Sequence, residues 1–401
     1  MSYAYDIEKV LEVPWVKKKS YRYLYQIACQ KKVIIRAFER MRKKKTTRKE
    51  IVEIENDFDK WVEKIQIMLI NTKPKGWHVE HPELAFKPKM HKPITIREAG
   101  KTRTIYVPSV VEQWVHHIII LILEPILRGS AYAHTYASFP KRGSHKGKKA
   151  ISRWIHRGKG IRNHAVCDIR HFYDHVRYSI VRKKLQKRVH DNFFLHLIDV
   201  SMRQFLVRGI PLGFFLSQWL ANFLLQEMDY MVKNVYGIAH YTRYMDNLTF
   251  MDDNKKRLHR AIKGVMSWLG KHRLKLKGDW QVSRFDYVKK NGKRTGRRIS
   301  AMGFYFYRDR VIMRKHIMIH LAAAARRIGK KKENHQAFPK KLCSSFISLM
   351  GWVSCTDTYA WYLVNVKPFV RVRHIKKIIS KLAKEDNRND KLARRIICAT
   401  S

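Results

Sequence analysis

Two short β-rich runs, Ile238-Ala239-His240-Tyr241-Thr242-Arg243 and Leu248-Thr249-Phe250-Met251, flank the tetrapeptide Tyr244-Met245-Asp246-Asn247. Runs of this kind pair as strands, and so short a link leaves room only for a tight hairpin turn. Asp and Asn tolerate the left-handed backbone such turns need, so the Asp246-Asn247 pair is expected at the link. That geometry lifts Asp246 to the hairpin tip, where a carboxylate can hold Mg²⁺. An ordinary surface hairpin would read the same way, so the chemistry depends on finding a second carboxylate.

Charge decides the partner class. Lys and Arg total 84 against 32 Asp and Glu, a net charge of +52 over 401 residues, spread along most of the chain. Such a field repels itself unless a polyanion neutralises it, and each neutralised phosphate adds counterion-release free energy. A hydrophobic content of 45% with 12% aromatics excludes a disordered basic protein. The expectation is a folded nucleic-acid binder, with ribosome-like or membrane-surface binding as weaker alternatives. The most apolar run, Ile118 to Leu123, stops at Glu124 and is short for a membrane span. Asp6, Glu8 and Lys9 interrupt any signal-peptide core. Five cysteines without CxxC pairing read as reduced thiols of a cytoplasmic protein. His116-His117 lies on an apolar helix and reads as a pair of satisfied structural histidines.

Along the chain, residues 1–90 are expected to form a basic helical extension. A capping box at Thr47-Arg48-Lys49-Glu50 opens one long amphipathic helix carrying Ile51, Ile54, Phe58, Trp61, Ile65 and Leu69. Ile94 to Arg97 and Thr104 to Val107 alternate around Glu98-Ala99-Gly100-Lys101, a second hairpin ending at Pro108. An apolar helix over Val110 to Leu127 follows, then alternating strands and helices to about 255, which is an α+β pattern. A Lys/Arg-rich hairpin near Lys289 to Arg298 leads into basic helices such as Leu342 to Val353. The tail from Glu385 is polar and basic and is expected to be mobile.

Strand synthesis from nucleoside triphosphates uses two divalent ions roughly 3.5–4 Å apart between shared carboxylates. Asp246 therefore needs a partner. Cys167-Asp168-Ile169-Arg170-His171-Phe172-Tyr173 supplies one, because Ala165-Val166-Cys167 reads as a buried strand presenting Asp168 at its end. An Asp in that place is also a common helix cap. Between the two carboxylates, the segment from Gly209 to Asn222 combines two glycines and a proline with the start of an apolar helix. Such a loop lets backbone approach a base pair closely.

Taken in order, these pieces resemble the reverse transcriptases. Arg97 to Pro108 resembles the fingers hairpin, followed by an apolar helix that ends in a Leu-Glu-Pro-Ile segment, here Leu123 to Ile126. Tyr136 to His145 resembles the second fingers motif, and Asp168 to Tyr173 the first palm carboxylate motif. Gly209 to Asn222 resembles the loop-helix under the nascent pair, Arg243 to Phe250 the second carboxylate hairpin, and Met302-Gly303-Phe304 the primer grip. Gly213, Ser217 and Gln218 give the Gly-x-x-x-Ser-Gln form that resembles diversity-generating retroelement and phage-defence enzymes of bacteria and phages. The resemblance implies an α+β right-hand polymerase fold: extension 1–90, fingers 91–165, palm 166–310, helical thumb and basic tail 311–401.

It also implies roles. Asp168 and Asp246 would be catalytic and hold two Mg²⁺ (Mn²⁺ as the alternative), joined by the Ile169 backbone carbonyl and Asn247. Lys101 and Arg103 would neutralise the incoming triphosphate. Tyr173 would stand under the sugar and reject a ribose 2′-hydroxyl, and Gly213 and Gln218 would sit at the nascent pair. Lys141, Arg142, Tyr244, Met245, Gly303 and Phe304 would contact template and primer, and Lys277 is the candidate general acid. The implied partners are dNTPs, an RNA template or structured non-coding RNA and the DNA product, with an accessory protein or a second copy left open and no membrane.

Three departures matter. Asn247 stands where the family has a second Asp, which keeps an oxygen ligand but loses a charge. Asp252 and Asp253 are near but are expected to point to solvent. Leu212 stands where a Gln is common, and the lysine often found after the palm's last helix is not evident. The principal expectation is RNA-directed DNA polymerisation. The alternatives are a catalytically weakened polymerase-fold scaffold that binds RNA, and template-independent or protein-primed synthesis in phage defence.

Overall fold

The computed structural model describes residues 20–385 apart from 44, 46–47, 99–100, 158–160 and 207–208. The chain forms two compact units interleaved along the sequence. One takes its described residues from Met1–Ala133, Ile169–Val235 and Lys263–Lys277, the other from His134–Asp168, Tyr236–Ile262 and Gly278–Ser401.

The first unit is mainly helical and is organised around the Val110–Gly129 helix. A capping box opens this helix: Ser109 Oγ accepts from the Glu112 N–H, and Glu112 Oε2 accepts from the Ser109 N–H at 2.7 Å. Its apolar residues point almost all round, so it is buried by the Leu24–Ala28, Lys31–Arg42, Asn192–Ser201 and Phe215–Leu224 helices. Trp114 is fully enclosed; its indole N–H donates to the Ile34 carbonyl at 2.8 Å, and its ring packs 4.7 Å from Phe38. This helix is longer than the run read from the sequence. Among the described residues it is the one helix long and apolar enough to cross a membrane, and 72% of its most apolar window is buried inside the protein.

Strands β1 (Ile94–Glu98) and β2 (Lys101–Ile105) form the expected antiparallel hairpin, with Ile96 opposite Arg103; its turn at 99–100 lies outside the described residues. The hairpin's exit is tied to the glycine loop, since the Tyr106 N–H donates to the Leu212 carbonyl at 2.8 Å. The single amphipathic helix expected after Thr47 is two helices, Lys49–Asn56 and Phe58–Ile70. Asp57 breaks it, with φ −119° and ψ 46° outside the helical region. Thr47 itself lies outside the described residues.

The second unit carries a four-stranded antiparallel sheet in the order β4-β5-β3-β6: β3 is Asn163–Asp168, β4 His240–Tyr244, β5 Asn247–Asp252 and β6 Ser283–Arg284. Strand β5 is central and reads as a near-continuous apolar run because both its faces are covered. The long basic hairpin expected near Lys289 to Arg298 is a short one, β7 (Tyr287–Val288) with β8 (Arg294–Thr295). Strands β9 (Ile299–Ala301), β10 (Phe304–Phe306) and β11 (Val311–Met313) form a second antiparallel sheet, whose buried residues share a core with Ile151, Ile155 and Met251. Helices Lys315–Glu333, Lys340–Val353 and Tyr359–Asn365 follow. Their core joins Leu321, Ala325, Cys343 and Phe346, with Trp352, Trp361 and Tyr362 packed partly against it. The α+β class expected from the sequence is the one observed. The tail after 385 lies outside the described residues.

Candidate active site

In the second unit β3 brings Asp168 to the end of a buried strand. Ala165 and Cys167 are enclosed, while Val166 and Asp168 are half-exposed, so the alternation of the strand itself turns the carboxylate outward. Register then places Asp168 directly opposite Asn247 on β5, and Asn247 opposite Tyr244 on β4. Asp246 adjoins this row as the second turn residue. Its carboxylate is engaged by the neighbour, since Asn247 Nδ2 donates to Asp246 Oδ1 at 3.1 Å.

The hairpin link differs from the expectation. Tyr244 and Asn247 are the closing pair, so the two turn residues are Met245 and Asp246. The left-handed position falls on Met245, φ 55°, and not on the Asp or Asn that tolerate it best. Asn247 is a strand residue facing Asp168.

The donor set consists of oxygens: two carboxylates on adjoining backbone and the Asn247 amide. Such hard donors suit Mg²⁺. Among the described residues no group of three or more His, Cys, Asp or Glu could hold a metal ion. In its donor chemistry, two carboxylates and an amide oxygen, the set suits a divalent ion. Asp252 does not add a third charge, nor does it point to solvent as expected. It is buried at the far end of β5, where Arg257 Nε donates to its Oδ1 at 3.0 Å. Burial raises its pKa against that pairing.

The other expected contacts in this unit divide. Lys141 is exposed, with φ 58°. Arg142 is turned inward, donating to the Thr135 carbonyl at 3.1 Å and covering the Phe139 ring. Tyr244 is half-buried and Met245 buried, so the Met245 side chain does not present itself to a template. Phe304 is 0% exposed, packed 4.8 Å from the Trp352 ring; a primer could meet only backbone there. At Gly303, φ 90°, a β-carbon would overlap that same indole, so core packing accounts for this glycine.

In the first unit, Lys101 opens β2 opposite Glu98, and Arg103 is exposed on the same strand. Ile169 is buried, and the chain there pairs with the segment carrying Lys277: Ile169 bridges Leu276, and the Arg170 N–H donates to the Lys275 carbonyl. Lys277 is half-buried. Tyr173 is half-buried with its ring edge-on to Phe172. The sequence reading missed what holds it. Gly209 passes so close to the Tyr173 and Asp174 carbonyls that a β-carbon would overlap both, and Arg177 bridges Gly209. Gly213, φ 109°, is pressed against the Tyr106 carbonyl in the same way. Gln218 is half-exposed on the Phe215–Leu224 helix.

His116 is buried and His117 half-buried, but neither is satisfied as expected: Nδ1 of each has no hydrogen-bond partner. They pack on Phe214 and Phe215, respectively. Burial pushes both down to about 3, the Glu112 charge opposing this for His116 and the Arg40 and Lys45 charges adding to it for His117.

Residues 87–279 match the family model described as reverse transcriptase (RNA-dependent DNA polymerase). Protein YkfC of Escherichia coli (strain K12) is 24% identical over 170 residues, 37% of this chain and 42% of that protein, so the chain spans less than half the length of this relative. Among solved structures, apo telomerase from Candida tropicalis is similar over 59% of this chain and 49% of its own, with 13% identity and a TM-score of 0.40. Telomerase from Candida albicans in complex with a TWJ fragment of telomeric RNA is similar over 86% of this chain and 65% of its own, with 13% identity and a TM-score of 0.42.

Proposed function

We propose that this chain, whose residues 87–279 match the reverse transcriptase (RNA-dependent DNA polymerase) family model, extends a primer with deoxynucleotides on an RNA template. The observation that carries this reading is the register of β3 and β5, which sets Asp168 opposite Asn247 with Asp246 one residue away. Asp168, Asp246 and the Asn247 amide oxygen would hold Mg²⁺ or Mn²⁺, with the Ile169 carbonyl as a further donor. Bound divalent ions supply charge neutralisation and activation of the attacking hydroxyl. Arg103 and Lys101 would meet the triphosphate as cations on a stiff hairpin. Tyr173, held by Gly209, would exclude a 2′-hydroxyl and select DNA synthesis. Lys141 would meet template phosphate, and Lys277 would protonate pyrophosphate. Fingers over 91–165, palm over 166–310 and thumb over 311–401 belong to the same reading. So do a cytoplasmic setting and a bacterial or prophage retroelement or anti-phage role with a non-coding RNA.

One observation favours a second reading, an RNA-binding scaffold with a weakened site: the Asn247 amide occupies a lone pair of Asp246 that a metal would use. Primer extension on poly(rA)/oligo(dT) with Mg²⁺ and Mn²⁺ in parallel separates the two. Incorporation that disappears in Asp246→Ala establishes the polymerase. Silence in the natural chain with activity in Asn247→Asp means a polymerase whose metal site is disabled. Silence in both, with RNA still bound, establishes the scaffold.

A further inference from the structure

A buried side chain, Arg243, reaches the carboxylate turn. Its guanidinium is 0% exposed, on a strand that could have carried an aliphatic residue at the same place. A buried guanidinium is costly to desolvate and is retained where its donors are used. Here Nη1 donates to the Met245 carbonyl at 3.1 Å, two residues on in the same chain. Met245 is the residue in the left-handed conformation, φ 55°, which an L side chain resists.

The backbone of Arg243 is fixed separately. Its N–H donates to the His134 carbonyl at 3.1 Å, and its carbonyl accepts from the Tyr136 N–H at 2.9 Å. The base of the clamp is therefore anchored by main-chain bonds that survive any substitution of the side chain. The guanidinium is the part of Arg243 that reaches the turn.

We propose that Arg243 is a positioning residue: its buried guanidinium clamps the Met245 carbonyl, enforces the left-handed turn and so aims the Asp246 carboxylate beside Asp168. This rests on the reading of Asp246 as a metal ligand. Without the clamp, Met245 relaxes toward negative φ and the Asp246 Cα–Cβ direction swings with it. Glycine at 245 would accept the left-handed conformation without a clamp, so Met245→Gly should compensate for loss of the guanidinium.

The test is Mn²⁺ titration by electron paramagnetic resonance, with hydrogen exchange across residues 240–252, on the full chain. Arg243→Met should weaken the Asp246-dependent Mn²⁺ site about tenfold and speed exchange at 245–247, while β4–β5 ladder amides stay protected. Arg243→Lys, which keeps the cation but not its fork, should fall between. Arg243→Met/Met245→Gly should regain most of the Mn²⁺ affinity, a rescue that general destabilisation of the core would not give. Wild-type affinity and exchange in a folded Arg243→Met protein would overturn the proposal. So would a double variant no better than Arg243→Met. If Arg243→Met does not fold, the Arg243→Lys pair with and without Met245→Gly decides by the same criterion. Should the natural chain show no Asp246-dependent Mn²⁺ site, the metal reading fails by itself. Exchange at 245–247 then decides the clamp alone: faster in Arg243→Met upholds it, unchanged overturns it.

Discussion

Asn247 donates its side-chain amide to the Asp246 carboxylate at 3.1 Å while its backbone stands opposite Asp168 in the sheet. One residue therefore neutralises part of one carboxylate and faces the other. An Asp in its place would add a charge and remove a donor. In the metal-free protein that change is repulsive; with divalent ions present it is attractive.

Asn247→Asp should therefore lower the melting temperature of the metal-free protein, by an amount corresponding to about 1 kcal/mol for the lost hydrogen bond. It should also enlarge the stabilisation given by added Mg²⁺ and shift half-maximal primer extension to Mg²⁺ concentrations roughly tenfold lower, about one pKa unit's worth of interaction. Thermal melts with and without Mg²⁺, read beside extension assays, check both. A variant more stable than the natural chain without metal would contradict this account of Asn247.

Gly213 predicts a second outcome. Its φ of 109° is closed to side-chain-bearing residues, and a β-carbon would overlap the Tyr106 carbonyl. Gly213→Ala should destabilise the protein by more than about 1 kcal/mol, because strain and overlap outweigh the entropy gained in the unfolded chain. Gly237→Ala is the informative comparison. It shares a positive φ of 63° but meets nothing within 4 Å, so it should cost less. Urea denaturation of both variants measures the difference.

Three desolvated histidines give a pH dependence of known sign. His116 and His117 titrate at about 3 in the folded protein and His164 at about 4, against 6.5 when unfolded. Burial is the main cause, so the folded state disfavours the charged ring. Between those values the unfolded chain binds more protons, and stability falls as pH falls. The contribution is complete above pH 6.5 and is lost progressively towards pH 3–4. Urea midpoints from pH 7 to pH 4.5 should decrease, and His116→Leu and His117→Leu should each flatten the slope. An unchanged slope in both would mean that these rings do not carry the acid sensitivity.

How much of this was legible depended on whether a feature was local. The β1–β2 hairpin, the Val110–Gly129 helix and the strand ending in Asp168 are set by alternation, capping and apolar run length; each was found, with β2 beginning three residues earlier and the helix ending two residues later than read. The break at Asp57 was not, because the apolar spacing continues across it. The hairpin turn was shifted by one residue because turn propensity favours Asp-Asn, whereas the burial of Met245 and of Arg243 beside it is tertiary. Asp252 and Phe304 were misread for the same reason: Arg257 and Trp352 decide their burial, and neither pairing leaves a periodic signal. The interleaving of the two units along the chain is likewise a property of long-range packing.

Tyr173 carries the last prediction. Its ring is edge-on to buried Phe172, and its carbonyl is pressed by Gly209, so its position is held from two sides. If it stands under the incoming sugar, removing the ring opens room for a 2′-hydroxyl without disturbing the carboxylates. Tyr173→Ala should then raise incorporation of ribonucleotides relative to deoxynucleotides at least about tenfold, the scale of a steric contact worth 1–3 kcal/mol. Gly209→Ala should act on the same ratio indirectly, by pushing the Tyr173 backbone away, and should also cost stability. The measurement is the ratio of kcat/KM for UTP and dTTP opposite poly(rA), taken with Mn²⁺ to offset the weakened site. A ratio unmoved in Tyr173→Ala, with dTTP incorporation intact, would remove Tyr173 from sugar selection.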